Sequence, residues 1–240
     1  MTEWFEQWFG EEYLKLYPHR DEDDAAEAVA LIMDNVRLEG ARVLDLACGP
    51  GRHAIQLRSA GAWVVGFDLS LPLLSRARHR DRDPLHVVRG DMRYLPFVGG
   101  SFDVVVNLFT SFGYFSDDRQ HGLVLTEVAG VLRPGGVLVL DYFNATDLMG
   151  SLVPHEKRAI GSQRVVIERR ISDDGKYVLK EMHLLNDGRS FLERVRMFSV
   201  TELETLVSEA GLCVRKRYGD YSGGPLTAES PRVLMVASRP

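Results

Sequence analysis

The chain of 240 residues lacks several features that mark whole classes of protein. It has two cysteines, Cys48 and Cys213, and neither belongs to a CxxC pair, so the sequence indicates no zinc cluster and no disulfide framework. We therefore expect no bound metal and a reduced, cytoplasmic setting. No apolar run is long enough to cross a membrane. The first residues are acidic and aromatic and do not resemble a signal peptide, which begins with basic residues and continues with an apolar run.

The charge pattern excludes a further class of protein. The formal net charge is −5 and no basic stretch stands out, so the electrostatic footprint of a protein that binds duplex nucleic acid is missing. With 45% hydrophobic and 26% charged residues, the composition is that of an ordinary globular protein. The length suits one large domain or a domain with an insertion.

The periodicity of apolar residues indicates alternating strands and helices from about residue 25 to residue 147. Buried strands are predicted at 41–47, 63–70, 85–91, 102–109 and 137–143, and helices at 23–36, 52–61, 71–80 and 117–132. The sequence RPGG at 133–136 reads as a turn before the fifth strand. This βαβ rhythm predicts an α/β fold with a doubly wound, mostly parallel sheet and helices on both faces.

The pattern changes in the last third of the chain. Three strand-like runs, separated by DDGK and NDGR, predict an antiparallel β-meander inserted at about residues 160–199, because Asp-Gly is a hairpin signal. A helix then follows, with Thr201 as its N-cap or a residue of its first turn, and two more strands bring the main sheet to seven. We predict a single domain, 1–240, with a helical cover at 1–24 and the meander over the active site.

The stretch VLDLACGPGRHAIQL, residues 43–57, reads as a strand, a glycine turn and the start of a helix. Such a turn accommodates a triphosphate, a dinucleotide or S-adenosylmethionine (SAM). A triphosphate-binding loop needs a lysine followed by serine or threonine, and Arg52 and His53 stand there instead. Gly49, Gly51 and Ala54 satisfy the dinucleotide fingerprint, so the turn alone leaves NAD and SAM undecided.

Four more stretches narrow the choice. Together with the glycine turn, GFDLS, GDMRYLPF, FDVVVNLF and LRPGGVLVLDYF occur in an order and spacing that resemble a class I SAM-dependent methyltransferase. The resemblance implies a glycine turn along the methionine part of SAM, Asp68 on the ribose, Asp91 at the adenine amine and Met92 beside the adenine ring. The candidate cofactor-binding residues at the strand ends are Ala47, Gly49, Gly51, Asp68, Leu69, Asp91, Met92, Asn107 and Leu108.

Residues 16–28 (LYPHRDEDDAAEA) and 107–115 (NLFTSFGYF), with the meander, resemble bacterial small-molecule N-methyltransferases, especially the amino-sugar N,N-dimethyltransferases of antibiotic pathways. This resemblance implies that the N-terminal segment folds over the cofactor and that Tyr17 and Arg20 contact its methionine end. An arginine suits this position because its guanidinium can hold a carboxylate in a bidentate grip.

The resemblance implies an in-line SN2 transfer of a methyl group to a small-molecule acceptor, with an amine favoured. Catalysis by alignment and exclusion of water is expected, with Tyr114 as a hydrogen-bonding group and His121 as the candidate base if the acceptor must lose a proton. Asp141 and Tyr142, at the end of the fifth strand, are expected to point toward the substrate side. Four aromatic residues are expected to wall the acceptor site: Phe109, Phe112, Tyr114 and Phe115.

Several alternatives stay open at the level of sequence. They are an O- or C-methyltransferase on the same scaffold, an NAD(P)-binding oxidoreductase, and a SAM-binding regulator without catalytic activity. The regulator would keep the glycine turn and Asp68 but would need no acceptor pocket. The expected partner is a small molecule, with no nucleic acid and no membrane, and the protein is expected to be a monomer or a homodimer.

Overall fold

A seven-stranded sheet forms the centre of the computed structural model, which describes residues 3–17, 22–80 and 83–240. The strands of the protein, in chain order, are β1 (Arg42–Leu46), β2 (Trp63–Asp68), β3 (His86–Arg89), β4 (Phe102–Asn107), β5 (Leu132–Phe143), β6 (His155–Ile160), β7 (Gln163–Ile171), β8 (Tyr177–Leu184), β9 (Ser190–Arg196), β10 (Cys213–Tyr218) and β11 (Arg232–Ser238). The central sheet has the order β10-β11-β5-β4-β1-β2-β3.

The central sheet is parallel except at one edge. Strands β3, β2, β1, β4 and β5 run parallel to one another, whereas β11 is antiparallel to both β5 and β10. The predicted doubly wound α/β fold is therefore confirmed. The strand order reverses between β1 and β4, and in open α/β sheets ligands bind outside the carboxyl ends of the strands at such a point.

Helices cover both faces of this sheet. They are α1 (Trp4–Trp8), α2 (Glu11–Leu16), α3 (Glu22–Met33), α4 (Arg52–Ser59), α5 (Leu71–Arg78), α6 (Asp118–Val131), α7 (Ala145–Ser151) and α8 (Val200–Glu209). Strand β4 shows why its sequence is continuously apolar: Val105 belongs to one buried cluster, and Val104 and Val106 belong to another on the opposite face. Alternate side chains of a strand point to opposite faces, so both faces of β4 need apolar residues.

The ends of the helices follow from local sequence. The side chain of Ser70 accepts a hydrogen bond from the amide of Leu73 at the start of α5. Ser199 and Glu202 form a reciprocal capping box at α8, which satisfies two backbone amides at the helix start. The N-cap of α8 is therefore Ser199, and Thr201 lies in the first turn. No helix in the described part of the chain is long and apolar enough to cross a membrane.

The second sheet is antiparallel, with the order β6-β7-β8-β9. It has four strands, whereas the sequence predicted three, and it begins at His155 instead of about residue 160. The extra strand, β6, has the sequence HEKRAI and is an edge strand, since among the described residues it pairs with β7 alone. Edge strands are often charged because this discourages pairing with other chains, so β6 lacks the alternation of apolar residues that identifies a strand.

Two further elements differ from the prediction. The RPGG segment at 133–136 belongs to β5 instead of forming a turn before it, and the pairing register between β4 and β5 shifts there. Helix α7 was not predicted; its N-cap, Asn144, accepts a hydrogen bond from the amide of Thr146. The meander is attached to the central domain by buried Arg196 of β9, which pairs with Asp118 of α6 and Glu202 of α8.

Candidate functional site

A cavity of 910 Å³ lies at the carboxyl ends of β1, β2, β3 and β4. This volume lies near the upper end of the range of about 300–1,000 Å³ for small-molecule and cofactor sites. Helices α1 and α2 of the N-terminal segment line its other side. The predicted site residues among its lining are Tyr17, Ala47, Gly49, Asp68, Leu69, Asp91, Met92, Leu108 and Tyr114.

The glycine turn has left-handed backbone at Ala47, Gly49 and Gly51, with φ of 58°, 54° and 81°. A Cβ atom at Gly49 would meet only Leu73 Cδ1, at 4.0 Å, so the backbone of Gly49 is open toward the cavity. A Cβ atom at Gly51 would lie 2.9 Å from the Cβ of Ala77 in α5. Gly49 therefore allows a ligand to approach the turn, whereas Gly51 allows helices α4 and α5 to pack.

Asp68 connects the glycine turn to α5. Its Oδ2 accepts a hydrogen bond from the amide of Gly49 and its Oδ1 accepts one from the amide of Ser70, both at 2.8 Å. Burial raises the pKa of Asp68, although the backbone hydrogen bonds oppose this effect. A carboxylate oxygen has two lone pairs, so each oxygen can also accept from a ribose hydroxyl without losing its amide partner.

A second buried acid lies beneath the turn. Asp45 of β1 is fully buried, and its Oδ2 has no hydrogen-bond partner among the described residues. Burial, with a smaller contribution from the charge of Asp68, raises the pKa of Asp45 to about 7, although Arg52 and the amide of Ala54 lower it. Asp45 therefore supports the loop from below and does not line the cavity.

At the end of β3, Arg93 holds Asp91. The Arg93 Nε lies 3.0 Å from both carboxylate oxygens, and its Nη2 lies 2.5 Å from Oδ2. Burial favours the neutral acid, but the hydrogen bonds and charge of Arg93 outweigh it and lower the pKa of Asp91. The Arg93 guanidinium also lies 4.7 Å from the centre of the Phe115 ring. Asp91 is thus presented to the cavity as a fixed anion.

The N-terminal cover is fixed to both the central sheet and the meander. Ser70 Oγ donates to the carbonyl oxygen of Phe9 at 2.5 Å. Tyr17 donates its hydroxyl to Oε1 of Glu193 at 2.9 Å, and the indole of Trp8 donates to the same oxygen at 2.8 Å. Lys180 of β8 pairs with Glu193 and donates to the Tyr17 hydroxyl. Arg20 lies outside the described residues.

The end of β4 forms the wall opposite the cover. Phe109 and Thr110 both have left-handed backbone, with φ of 57° and 60°. Tyr114 lies against three aromatic rings of the cover, those of Trp4, Phe5 and Phe9, with ring centres 5.1–6.2 Å apart. The Tyr114 hydroxyl donates to the carbonyl of Thr110 at 3.0 Å. Its ring therefore lines the cavity, while its hydroxyl is bonded to the loop.

Six residues that the sequence predicted at the site lie away from the cavity wall: Gly51, Asn107, Phe112, His121, Asp141 and Tyr142. Gly51 packs against α5, and Asn107 is buried and donates to the carbonyl of Leu46, bracing β4 against β1. His121 is fully buried among Phe112, Phe115 and Phe198, and its Nε2 accepts from the amide of Phe115. Because nothing in this geometry brings His121 to the cavity, we propose no proton transfer by it.

His53 lines the cavity, whereas the sequence pattern favoured His121 as the candidate base. Burial lowers its pKa to about 3, and the charges of Arg52 and Arg232 contribute. Burial also lowers the pKa of His121 to about 4, although Asp118 opposes this effect. Both imidazoles are therefore neutral at pH 7.

These two histidines give a testable pH dependence. The unfolded chain binds protons near pH 6.5 and the folded protein does not, so their contribution to stability is complete above that pH and is lost as the pH falls toward 4 and 3. Between pH 6.5 and its folded pKa, each histidine should lower the stability by about 1.4 kcal/mol per pH unit. NMR titration of the imidazole signals should give midpoints near these low values. Midpoints near 6.5 for both histidines would contradict the burial argument.

The groups that line the cavity are suited to binding SAM. The open face of Gly49, the two remaining lone pairs of the Asp68 carboxylate and the anionic Asp91 lie around one cavity. Within the described ranges, no group of three or more histidine, cysteine or acidic residues could hold a metal ion. The sheet topology is that of a Rossmann-like fold, and the cavity at its strand ends is that of a protein that binds a nucleoside-containing cofactor.

Comparison with known proteins identifies the family. Residues 43–136 match the family model described as a methyltransferase domain. The chain is 30% identical over 221 residues to cypemycin N-terminal methyltransferase from Streptomyces sp, which covers 89% of each protein. It is also 30% identical over 240 residues to a dTDP-3-amino-3,4,6-trideoxy-alpha-D-glucopyranose N,N-dimethyltransferase of Streptomyces venezuelae, covering 91% of this chain and 96% of that one.

Solved structures of methyltransferases share the fold of this chain. SAM-bound CalS10, an amino pentose methyltransferase from Micromonospora echinaspora, superposes with a TM-score of 0.69 at 26% identity, covering 95% of each chain. The CcbJ methyltransferase of Streptomyces caelestis, at 20% identity, shares the fold with a TM-score of 0.81 and covers 96% of this chain and 97% of its own. The chain belongs to the SAM-dependent methyltransferases. It is an enzyme with SAM as its cofactor.

Proposed function

We propose that this protein methylates the nitrogen of a small-molecule amine, with the acceptor bound between the aromatic cover and the end of β4. The observation that carries the proposal is the chemistry of this part of the cavity. Seven aromatic side chains line it: Phe5, Phe9, Tyr13, Tyr17, Phe109, Tyr114 and Phe115.

Aromatic walls suit an amine acceptor for two reasons. They exclude water, which disfavours a charged ammonium and favours the neutral amine whose lone pair attacks. After transfer, the nitrogen is cationic, and each ring face can stabilise it by about 0.5–2 kcal/mol. Glu6, Glu11 and Lys15 of the cover also line the cavity, so the cover side carries a net negative charge.

The low pKa of the cavity histidine, His53, also favours an amine acceptor. An alcohol or phenol must lose its proton as it is methylated, which requires a base with a pKa near the working pH. His53 lines the cavity, but burial lowers its pKa to about 3, so it is a weak base for this task. A neutral amine needs no base before it attacks.

In this account the residues of the chain position the reactants. When bound, SAM supplies an electrophilic methyl carbon on a positively charged sulfur. We assign its ribose to Asp68, its adenine to Asp91, Leu69 and Met92, and its methionine end to the turn at Ala47 and Gly49. Tyr17, Asn107, Leu108 and Gly51 then support this arrangement. Alignment of acceptor and methyl group can lower the barrier by about 7–11 kcal/mol.

The relatives support an amine acceptor. The names of the two relatives described above specify methylation at a peptide N-terminus and at an amino-sugar nitrogen, and a 29% identical relative from Halorhodospira halochloris, covering 75% of that protein, is a glycine/sarcosine N-methyltransferase. We therefore propose that the acceptor is an amine smaller than the cavity of 910 Å³. The oligomeric state and cellular location stay predictions.

The proposal is tested by turnover with methyl-labelled SAM across panels of amino sugars, amino acids, short peptides, phenols and alcohols, read by mass spectrometry. We expect labelled product with amines, at a rate that rises with pH as the amine loses its proton. Labelled phenol or alcohol would favour the O-methyltransferase. Tight SAM binding without any labelled product would favour the regulator.

A further inference from the structure

The strained end of β4 is held by a buried network that reaches it from the C-terminal part of the chain. Phe109 and Thr110 are consecutive left-handed residues, a conformation that costs roughly 1–2 kcal/mol per non-glycine residue. Such strain persists only where surrounding contacts determine the backbone, and it concentrates at functional sites. Phe109 lines the cavity, so the conformation of this pair sets the position of its wall.

Asp141 supplies the central contacts. Its Oδ2 accepts a hydrogen bond from the amide of Phe109 at 2.6 Å, and its backbone carbonyl accepts one from the amide of Thr110 at 3.0 Å. Both amides of the strained pair are therefore bonded to one residue. Asp141 is fully buried on β5, next to β4 in the sheet, and it does not line the cavity.

Two residues from the end of the chain fix the Asp141 carboxylate. Tyr221 donates its hydroxyl to Oδ2 at 2.7 Å, and Arg232 of β11 donates its Nε to Oδ1 at 2.5 Å. The Arg232 Nη2 also donates to Thr110 Oγ1 at 3.3 Å, so one guanidinium bridges the carboxylate and the strained pair. Burial and the charge of Asp141 raise the pKa of Tyr221, which keeps its hydroxyl a donor.

The same network holds the aromatic ring of Phe109. The Arg52 guanidinium lies 4.0 Å from the centre of that ring, and the Arg232 guanidinium lies 5.4 Å from it. The ring therefore lies against two cations, one from the helix after the glycine turn and one from β11. The backbone and the side chain of Phe109 are therefore both held by charged groups, and two of these, Asp141 and Arg232, lie outside the cavity lining.

We propose that Tyr221 and Arg232 are positioning residues for methyl transfer: acting through Asp141, they hold Phe109 and Thr110 in the strained conformation that aligns the acceptor. The proposal rests on methyl transfer in this cavity. A displacement of about 1 Å at a reacting centre can lower the rate 100-fold. Relaxation of either residue toward an extended backbone would move the Phe109 ring, while the glycine turn and Asp68 would keep their contacts.

Tyr221→Phe removes one donor to Asp141, and Arg232→Lys keeps the charge but cannot bridge Asp141 and Thr110. Tyr218→Phe is the matched control, because Tyr218 lies in the same part of the chain and donates at 2.9 Å to Asn35, not to Asp141. Arg217→Lys controls the second variant, since Arg217 pairs with Glu204 near the surface.

Hydrogen exchange and binding test the proposal without an identified acceptor. In both variants the amides of residues 108–114 should exchange about tenfold faster, with the affinity for S-adenosylhomocysteine (SAH) within twofold of the parent protein. With an amine found in the turnover screen, kcat should fall about tenfold or more. The control variants should match the parent protein in all three measurements.

Unchanged exchange at 108–114 in both variants would overturn the proposal, whether or not an acceptor is known. A fall in SAH affinity parallel to the fall in kcat would also overturn it, because that result indicates a general structural role. Failure of the screen to yield a methylated amine would count against the proposed function alone, since the exchange result is independent of turnover.

Discussion

Replacement of Asp68 by alanine is expected to lower the affinity for SAM and SAH at least about 100-fold. The carboxylate now accepts the amides of Gly49 and Ser70, both at 2.8 Å, and would accept ribose hydroxyls on its remaining lone pairs. Hydrogen bonds to a charged group contribute about 1.5–3 kcal/mol each. Alanine would remove the ribose contacts and also release the glycine turn from α5. Calorimetric titration with SAH measures the loss directly.

Asp103→Ala is the matched control. Asp103 also accepts a backbone amide, that of Arg42, at 2.7 Å, and it pairs with Arg133. It lies at the amino end of the sheet, away from the cavity, so its loss should reduce stability by about 1–2 kcal/mol while SAH affinity stays within twofold. Asp68→Asn, which keeps one acceptor oxygen, should fall between parent and alanine variant. Unchanged SAH affinity in Asp68→Ala would remove Asp68 from the cofactor site.

Alanine substitutions at the two glycines of the turn are expected to have different effects, one mainly on stability and the other mainly on cofactor affinity. Gly51→Ala should lower the free energy of unfolding by about 2–5 kcal/mol, because the left-handed backbone strains an alanine and the new methyl would lie 2.9 Å from Ala77 Cβ. Gly49→Ala should cost only about 1–2 kcal/mol, since its methyl has space in the protein. That methyl would occupy the cavity face, so SAH affinity should fall at least about tenfold.

Thermal unfolding and SAH titration of both variants separate the two effects. Each glycine variant serves as the control for the other, since both substitutions are chemically identical and only two residues apart. Gly51→Ala should show the larger fall in Tm and Gly49→Ala the larger fall in affinity relative to its loss of stability. The reverse pattern would mean that Gly51, and not Gly49, faces the cofactor.

The parallel sheet was predictable because its strands are short apolar runs between helices with clear caps. The four-stranded meander was only partly predictable. Strand β6 is charged along its length, and its identity depends on pairing with β7, which is a contact between segments that no local pattern encodes. For the same reason the local pattern of the RPGG segment predicts a turn, although the segment lies within β5, between Leu132 and Val137, which both pair with β4.

The site was predictable where the chemistry lies directly after a strand, as at Gly49, Asp68 and Asp91. Sequence order could not show that the core would enclose His121, because its burial depends on aromatic residues from two separate segments, the loop after β4 and the residues after β9. The roles that we assign to Tyr221 and Arg232 were missed for a similar reason. Both are ordinary residues in sequence, and their contact with Asp141 requires that β11 lie antiparallel to β5.

The most direct test of the proposed function is to identify the acceptor atom that receives the methyl group of SAM. The protein should be incubated with methyl-labelled SAM below saturation and the amine panel, with Asp68→Ala as the weak-binding control, and the labelled product fragmented by mass spectrometry. We expect the label on nitrogen and at least about tenfold less labelled product from the control. Label on oxygen or carbon, or bound SAM with no transfer to any amine, would contradict the proposed function.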